Sequence, residues 1–265
     1  MPKLRTALVL GSQCRAPWLN LAGVIGVITV WTVFSEMGWV NPLLLPSPIQ
    51  VLGAAHTVGS PLLLHTFATI ARIVVGFLLG ATSGITLGLV MQYSQRTFAL
   101  LDGIVETTRP VPPVAVVPFF ILVFGFAEIG KLLLVTIGTG LVVTVGTIEA
   151  VERIPTSLIK WGLVSGISRT GLFRHIVFRA AISELTATLR IALATTVALV
   201  IVAEFMGAQY GLGYLINVAK VTLATPTMFL SIFLLGWITW ALDYLLQSLV
   251  SRWCAWDLRA QGALL

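Results

Sequence analysis

Charge is scarce in this sequence. Only 10% of its 265 residues are Asp, Glu, Lys or Arg, against 57% hydrophobic residues. A soluble domain carries roughly 25% charged residues. The balance excludes an ordinary soluble fold and points to a polytopic membrane protein, with a mean hydropathy of +0.99. Histidine is scarcer still: there are three, and they are scattered. The two cysteines, Cys14 and Cys254, fall near predicted cytoplasmic ends, where a disulfide is not expected. The chain has no Ser-His-Asp set, no cysteine pair at metal-ligand spacing and no phosphate-binding loop. Catalytic residues, metal ligands and cofactors are therefore not expected. Carboxylates within apolar stretches are few: Glu36, Glu204 and Asp243. A proton-driven transporter usually places acidic groups near mid-membrane. Their scarcity points to an energy source on a partner subunit.

The net charge is +6. In a membrane protein such an excess orients helices rather than binding nucleic acid. The opening residues, MPKLRTALVLGSQCR, are basic, but their apolar run is too short for a signal-peptide core. One transmembrane domain, 1–265, is expected, without a cleaved signal or an appended soluble domain.

Six apolar stretches are long enough to cross ~30 Å of hydrocarbon. They run about 18–40, 67–91, 100–126, 132–148, 185–206 and 228–249. The first carries Trp18 and Trp39 at its ends, where indole rings favour the interface. Residues 41–48, NPLLLPSP, form a turn, because three prolines cannot continue a helix. Residues 49–64 read as a short interfacial helix on the outer face. His56 and His65 read as interface residues rather than metal ligands. The glycine-rich segment 207–226 reads as a re-entrant or interfacial piece on the same side.

The signs of charge agree. Inner segments hold Lys3, Arg5, Arg15, Arg96, Arg153, Lys160, Arg169, Arg174, Arg179, Arg252 and Arg259; outer segments hold Lys131 and Lys220. Cytoplasmic loops collect Lys and Arg, so both termini are expected in the cytoplasm.

Three features inside the spans stand out. Gly76, Gly80, Gly84 and Gly88 line one helical face and admit another helix closely. The same geometry serves a static packing contact, the reading adopted, or a moving one. Pro110, Pro112, Pro113 and Pro118 remove four backbone donors from one region. The freed carbonyls need protein or water, so the break faces helices or a cavity, as a packing kink or a functional one. Arg72, Arg109 and Arg190 lie in or at the ends of spans. Each either lines a path for an anionic solute or snorkels to headgroups.

The segment 153–184 differs from the rest. It is polar, basic and broken by glycines, and it is too long for a simple turn between spans. A partly helical cytoplasmic loop of this kind docks a partner.

The stretch TRPVPPVAVVPFFILVFGFAEIGK, residues 108–131, resembles the membrane permease subunits of bacterial ATP-binding-cassette (ABC) importers of the binding-protein-dependent type. Within them it looks most like the sulfonate/taurine/nitrate permease group. Arg109, Pro110, Pro112, Pro113, Ala115, Pro118, Phe124, Gly125, Glu128 and Lys131 match that group's pattern; Val116 stands where Trp is usual and Ala127 where Gly is usual. In AEFMGAQYGLGYLI, Glu204, Gly207, Gly211 and Gly213 also match. In the loop, Gly166 aligns with the glycine of the family's E-A-A-x-x-x-G motif, and residues 173–177 follow in register. The rest of that motif departs. Lys160, Trp161 and Gly162 replace E-A-A, and Arg179 and Ser183 replace prolines.

The resemblance implies an all-α protein of the bacterial inner membrane with six transmembrane helices, the type I ABC importer permease fold. It implies a cytoplasmic coupling loop at 153–184 that seats in an ATPase groove. The contact residues would be Lys160, Trp161, Gly162, Ser165, Gly166, Ser168, Arg169 and Phe173. Pathway candidates are Arg109, Pro112, Pro113, Arg190 and Glu204. Partners would be a dimer of cytoplasmic ATPases, an external solute-binding protein and a second permease, either another copy or a related chain. ATP would bind those ATPases, and the solute would be a small organic or inorganic anion, in keeping with the group's usual cargo. A self-contained secondary transporter or channel is the alternative, and it predicts inverted repeats and midplane ionisable sites. A membrane-embedded lipid-modifying enzyme would need clustered His, Asp or Glu at one face.

Overall fold

The computed structural model describes residues 17–41 and 43–253. Among them the regular elements are all helical. They are α1 (Pro17–Glu36), α2 (Pro48–Val58), α3 (Pro61–Tyr93), α4 (Gln95–Thr108), α5 (Val117–Phe124), α6 (Glu128–Glu152), α7 (Thr156–Val164), α8 (Arg169–Leu172), α9 (Phe178–Phe205), α10 (Leu212–Val221) and α11 (Thr225–Trp253). A 3₁₀ turn, Pro113–Val116, precedes α5, and a single π turn, Phe173–Val177, joins α8 to α9.

Among the described residues four helices are long and apolar enough to cross a membrane: α3, α6, α9 and α11. Taken together, α4 and the 113–124 segment are also long and apolar enough, but they are broken at their junction. α4 and the 113–124 segment meet at an angle of 87°. The third expected span is thus two helices, and the chemistry is that of the prolines. Pro110, Pro112 and Pro113 cannot donate to a helical ladder, and residues 109–112 leave the helix. α1 is a further apolar helix, 20 residues long, ending at Glu36 rather than near Val40.

The described chain divides into two units, 1–59 with 219–230, and 60–218 with 231–265. In the first, α1 is tied to the following loop. The Trp31 indole donates to the Pro46 carbonyl (3.1 Å) and the Ser35 hydroxyl to Leu45 (3.1 Å). Trp31 also stacks on Phe229, 6.1 Å between rings. α2 starts with a capping box. Ser47 accepts from the Gln50 amide and Gln50 accepts from the Ser47 amide, which satisfies two orphan donors.

The second unit is built on α6. α3 runs parallel to it and α9 antiparallel, and the pair α3–α6 is the most extensive helix contact in the described chain. Glycine makes it so. A β-carbon at Gly80 would stand 2.6 Å from the Thr139 Cβ. One at Gly84 would stand 2.8 Å from the Val143 Cβ, and one at Gly88 2.7 Å from the Thr147 Cβ. Lipid is as apolar as leucine, so membrane helices associate through close packing. Thr139 also meets α9, where its hydroxyl and that of Thr196, both buried, share a hydrogen bond of 2.7 Å. Gly138 admits Leu199 and Pro113. The core around these contacts is Ile73, Phe77, Val135, Val143, Leu193, Leu199 and Val200.

The glycine face therefore packs, and it packs along its whole length. Replacing Gly84 by Leu forces α3 away from α6 and costs at least 1–3 kcal/mol, roughly the penalty for overpacking. Gly103, in α4, has open space around it and serves as control. Gly84→Leu is expected to unfold in detergent at a clearly lower temperature than Gly103→Leu. Equal melting temperatures would contradict the packing account.

Candidate functional site

Three groups of residues concentrate the polar chemistry of the second unit. The first lies where α3, α6 and α9 come together at one end. Glu204, near the end of α9, has no exposed side-chain surface. Its carboxylate accepts from Arg72 Nη1 (2.7 Å), from the Thr69 hydroxyl (2.9 Å) and from the Gly213 amide (2.8 Å). Arg72 turns its other edge to Glu128 at the start of α6, Nε at 2.8 Å and Nη2 at 2.9 Å. Nη1 also donates to the Tyr210 carbonyl (2.7 Å). Lys131 completes the chain of charges, 3.0 Å from Glu128.

This arrangement gives a physical reason for the glycines after Glu204. Gly211 has φ +138°, and a β-carbon there would strike the Glu204 carboxylate. One at Gly213 would lie 2.9 Å from the same group. Only a chain without side chains at these points can fold back over a buried carboxylate. His65, expected at the membrane surface, is instead buried in this group. Its Nδ1 accepts from the Gly211 amide (3.0 Å) and its ring stacks on Tyr214 at 5.6 Å. Thr69 relays further, accepting from the Leu212 amide at 2.8 Å. Of this set, Thr69 went unseen in the sequence. The available signal was chemical: two opposite charges, Arg72 and Glu204, each costly alone in an apolar bundle, need one another.

The second group is the Arg190–Asp243 pair. Arg190 Nε and Nη2 donate to the two oxygens of Asp243 at 2.8 and 3.0 Å, joining α9 to α11. Gln247, one turn on, donates to the same carboxylate at 2.7 Å. The pair opens on a groove of about 790 Å³ between the helices, lined also by Ile191, Ala194, Thr239 and Trp240. Arg109, at the end of α4, pairs with Glu149 of α6 at 2.8 Å and stands 3.7 Å from Glu106. Of the two prolines picked out for the pathway, Pro112 is exposed at the break and Pro113 packs against α6 beside Gly138. Arg109, Arg190 and Glu204 are thus not brought together. Each has its own carboxylate or cation.

The third group is the 153–184 segment. Two residues past the end of α7 comes Gly166, whose φ of +72° belongs to the left-handed region. The amides of Gly166 and Ile167 return to the carbonyls of Leu163 (3.1 Å) and Gly162 (3.2 Å), closing the helix. The Ser168 hydroxyl accepts from the Gly171 amide (3.2 Å) and starts α8. Gly162 is buried because the Leu172 and Ile176 side chains fold onto it. Phe173 packs edge-on against Tyr93 of α3, 5.1 Å between rings. Lys160, Trp161 and Ser165 are exposed, Trp161 at 72%. The backbone of Arg169 opens α8, and its side chain lies outside the described residues, as do the two cysteines.

The Glu204 group is a latch among three helices. Removing one member of a buried ion pair costs about 3–5 kcal/mol, because the other is left without a partner. Glu204→Ala is expected to lower the unfolding temperature in detergent by on the order of 10 °C. Arg72→Ala with Glu204→Ala is expected to cost less than the sum of the two single changes. Strict additivity in that cycle would mean the two side chains act independently.

Residues 76–253 match the family described as binding-protein-dependent transport system inner membrane component. The taurine transport system permease protein TauC of Escherichia coli (strain K12) is 29% identical over 91% of this chain and 90% of its own length. A protein of the same organism named as an aliphatic sulfonates transport permease, SsuC, is 31% identical over 91% of this chain and 92% of its own. The riboflavin transport system permease protein RibX of Chloroflexus aurantiacus is 31% identical over 96% of this chain and 97% of its own. In fold, the chain is similar to one of the MetNI methionine ABC transporter in an inward-facing conformation. That match has a TM-score of 0.59 and 20% identity, and it covers 72% of this chain and 97% of that one. The chain has the type I ABC importer permease fold, and it belongs to the family of inner membrane components of binding-protein-dependent transport systems.

Proposed function

We propose that this chain is the permease subunit of an ATP-driven importer and that its 153–184 loop is where the motor docks. It forms the path for solute and hydrolyses nothing itself. A pair of cytoplasmic ATPases supplies the energy, and an external binding protein delivers the cargo. Two permease halves enclose the path, two copies of this chain or one copy with a related chain. Both termini lie in the cytoplasm. Relatives named for taurine and aliphatic sulfonates support a small organic anion as solute.

The observation that carries this reading is the apolar tip of α7. Trp161 and Val164 are 72% and 86% exposed, with Leu158 and Leu163 beside them. A helix of nine residues does not leave a tryptophan in water without use. Large exposed apolar groups on an otherwise polar segment mark an interaction surface, and tryptophan is enriched among the residues that dominate binding energy. The tip is held rigidly from below, by Gly162 against Leu172 and Ile176 and by the left-handed turn at Gly166. Lys160, exposed next to Trp161, calls for an acidic rather than a basic group in the facing groove.

Trp161→Ala removes only exposed surface, so the membrane fold is expected to melt at an unchanged temperature. ATPase retention is expected to fall, with affinity weakened about 30-fold, the effect of losing roughly 2 kcal/mol at a central contact. Gly166→Leu strains the turn and is expected to uncouple transport from hydrolysis. A single cysteine at Ser165 is expected to crosslink to an ATPase and to react only with reagents that reach the cytoplasm. Labelling at Ser165 from outside intact cells, or full ATPase retention by Trp161→Ala, would overturn the docking assignment.

A further inference from the structure

Four charges of alternating sign lie in line where the broken span meets the end of α6: Glu106, Arg109, Glu149 and Arg153. Arg109 Nη2 donates to Glu149 Oε1 at 2.8 Å and so joins α4 to α6. Each member of that pair has a second partner on its own segment. Arg109 Nη1 stands 3.7 Å from Glu106, three residues back. The other Glu149 oxygen stands 3.7 Å from Arg153, four residues on. All four side chains are open to solvent, Glu149 the least at 40%. Exposed ion pairs are weak and are screened by salt. The enclosed Glu204 carboxylate is costly to separate from its partner. Of these two ionic networks, the Glu204 group holds, and the Arg109 chain is free to change partners.

The place of the chain in the fold gives that freedom a use. Arg109 is the first of the four residues that leave the helix at the 87° break. Beyond the break, the 113–124 segment runs along α6, with Pro113 beside Gly138 and Phe124 beside Gly130. Glu149 lies in the last turn of α6, and Arg153 opens the 153–184 segment. The next residue, Ile154, is buried with Val177 of the π turn and Ala181 of α9. The four charges can be paired in two ways. In the structure Arg109 bridges to Glu149. In the other arrangement Arg109 closes on Glu106 and Glu149 closes on Arg153, at the spacings where helical side chains meet. The bridge between α4 and α6 is then gone, and no charge has lost its partner. The exchange closes two gaps by about 1 Å, from 3.7 Å to an ordinary hydrogen-bond distance. Two discrete arrangements of one contact set make a bistable element.

We infer that Glu106, Arg109, Glu149 and Arg153 form a pair-exchange switch that carries movement of the 153–184 segment to the broken span. The inference rests on the proposed docking of that segment and goes beyond it. Displacement of the segment draws Arg153 onto Glu149. Arg109 is released to Glu106, and the angle at the break is no longer held from α6. Arg109 is a positioning residue, acting on the span through Glu149 and needing no contact with solute. The same scheme explains a cation at this point, because Pro110, Pro112 and Pro113 already stop the helix without it.

The test measures two distances by pulsed electron resonance in the purified permease–ATPase complex, with Cys14 and Cys254 replaced by Ser. Spin labels at Leu100 and Leu122, both exposed, report the break. Labels at Thr156 and Ile137, also exposed, report the segment. Each pair is read without nucleotide and after trapping with ATP and vanadate. Both distances are expected to change on trapping in the unaltered complex. In Glu149→Gln the segment is expected to move as before, while the break distance is the same in both states. Exchanging only Arg109 and Glu149, as Arg109→Glu with Glu149→Arg, sets like charges beside Glu106 and Arg153 and is expected to hold the break at its resting distance. Reversing all four charges rebuilds both arrangements and is expected to restore the change. Arg109→Lys keeps the charge and is expected to retain it, which serves where the fourfold variant fails to assemble. A break that still responds in Glu149→Gln, or one that neither the fourfold reversal nor Arg109→Lys allows to respond, overturns the inference. So does a segment that moves in the unaltered complex while the break does not. A segment that does not move there at all counts instead against the docking assignment, and the inference falls with it.

Discussion

A carboxylate with no exposed surface holds one end of the bundle together. Glu204 cannot be charged and buried unless its oxygens are fully used, and three elements supply the partners. Arg72 and Thr69 come from α3, the Gly213 amide from the start of α10, and Glu128 of α6 occupies the rest of Arg72. In a low-dielectric setting a half-satisfied network is worse than none. The ends of α3, α6 and α9 are therefore mutually dependent. The loop that follows α9 must turn back within hydrogen-bonding reach, which is why it is glycine where it crosses the carboxylate.

Below that point the same helices are held by shape. α6 is gripped by the glycine face of α3 and by α9, and Thr139 touches both, Gly80 on α3 and Thr196 on α9. Close backbone approach and paired hydroxyls do the work that a hydrophobic core does in water. The result is a stiff three-helix block, closed at one end by ion pairing and along its length by contact.

α9 connects everything of functional interest. It carries Glu204 at one end and Arg190 near its middle, and it continues through the π turn into α8 and the 153–184 segment. A π turn inside a helix is uncommon and often lies at a functional position. Here it sits where Phe173 packs on Tyr93 of α3. On the proposed reading, a push on the α7 tip passes through Leu172 and Ile176 into this continuous rod. It reaches the Arg190–Asp243 groove before it reaches the latch.

How much of this was readable in advance follows from the range of the forces. Helical class, the apolar stretches and the break among the prolines are local matters. They depend on hydrophobic length and on backbone donors that proline lacks, so composition and spacing reveal them. The glycine face was legible for the same reason, since its four-residue spacing needs no partner to be seen. The resemblance likewise picked out Glu204, Glu128 and Lys131, but as separate marks along the chain. What they do depends on Arg72, Thr69 and His65, which lie far from them in sequence and carry no pattern of their own. His65 read as a surface residue because nothing local says that Tyr214 will stack on it. Arg190 read as a lone cation because Asp243 lies in another helix. The amino-acid sequence by itself determined which segments are helical and apolar. Only tertiary structure decided which charges are paired, because pairing is a matter of distance across helices, and one-dimensional spacing does not contain it.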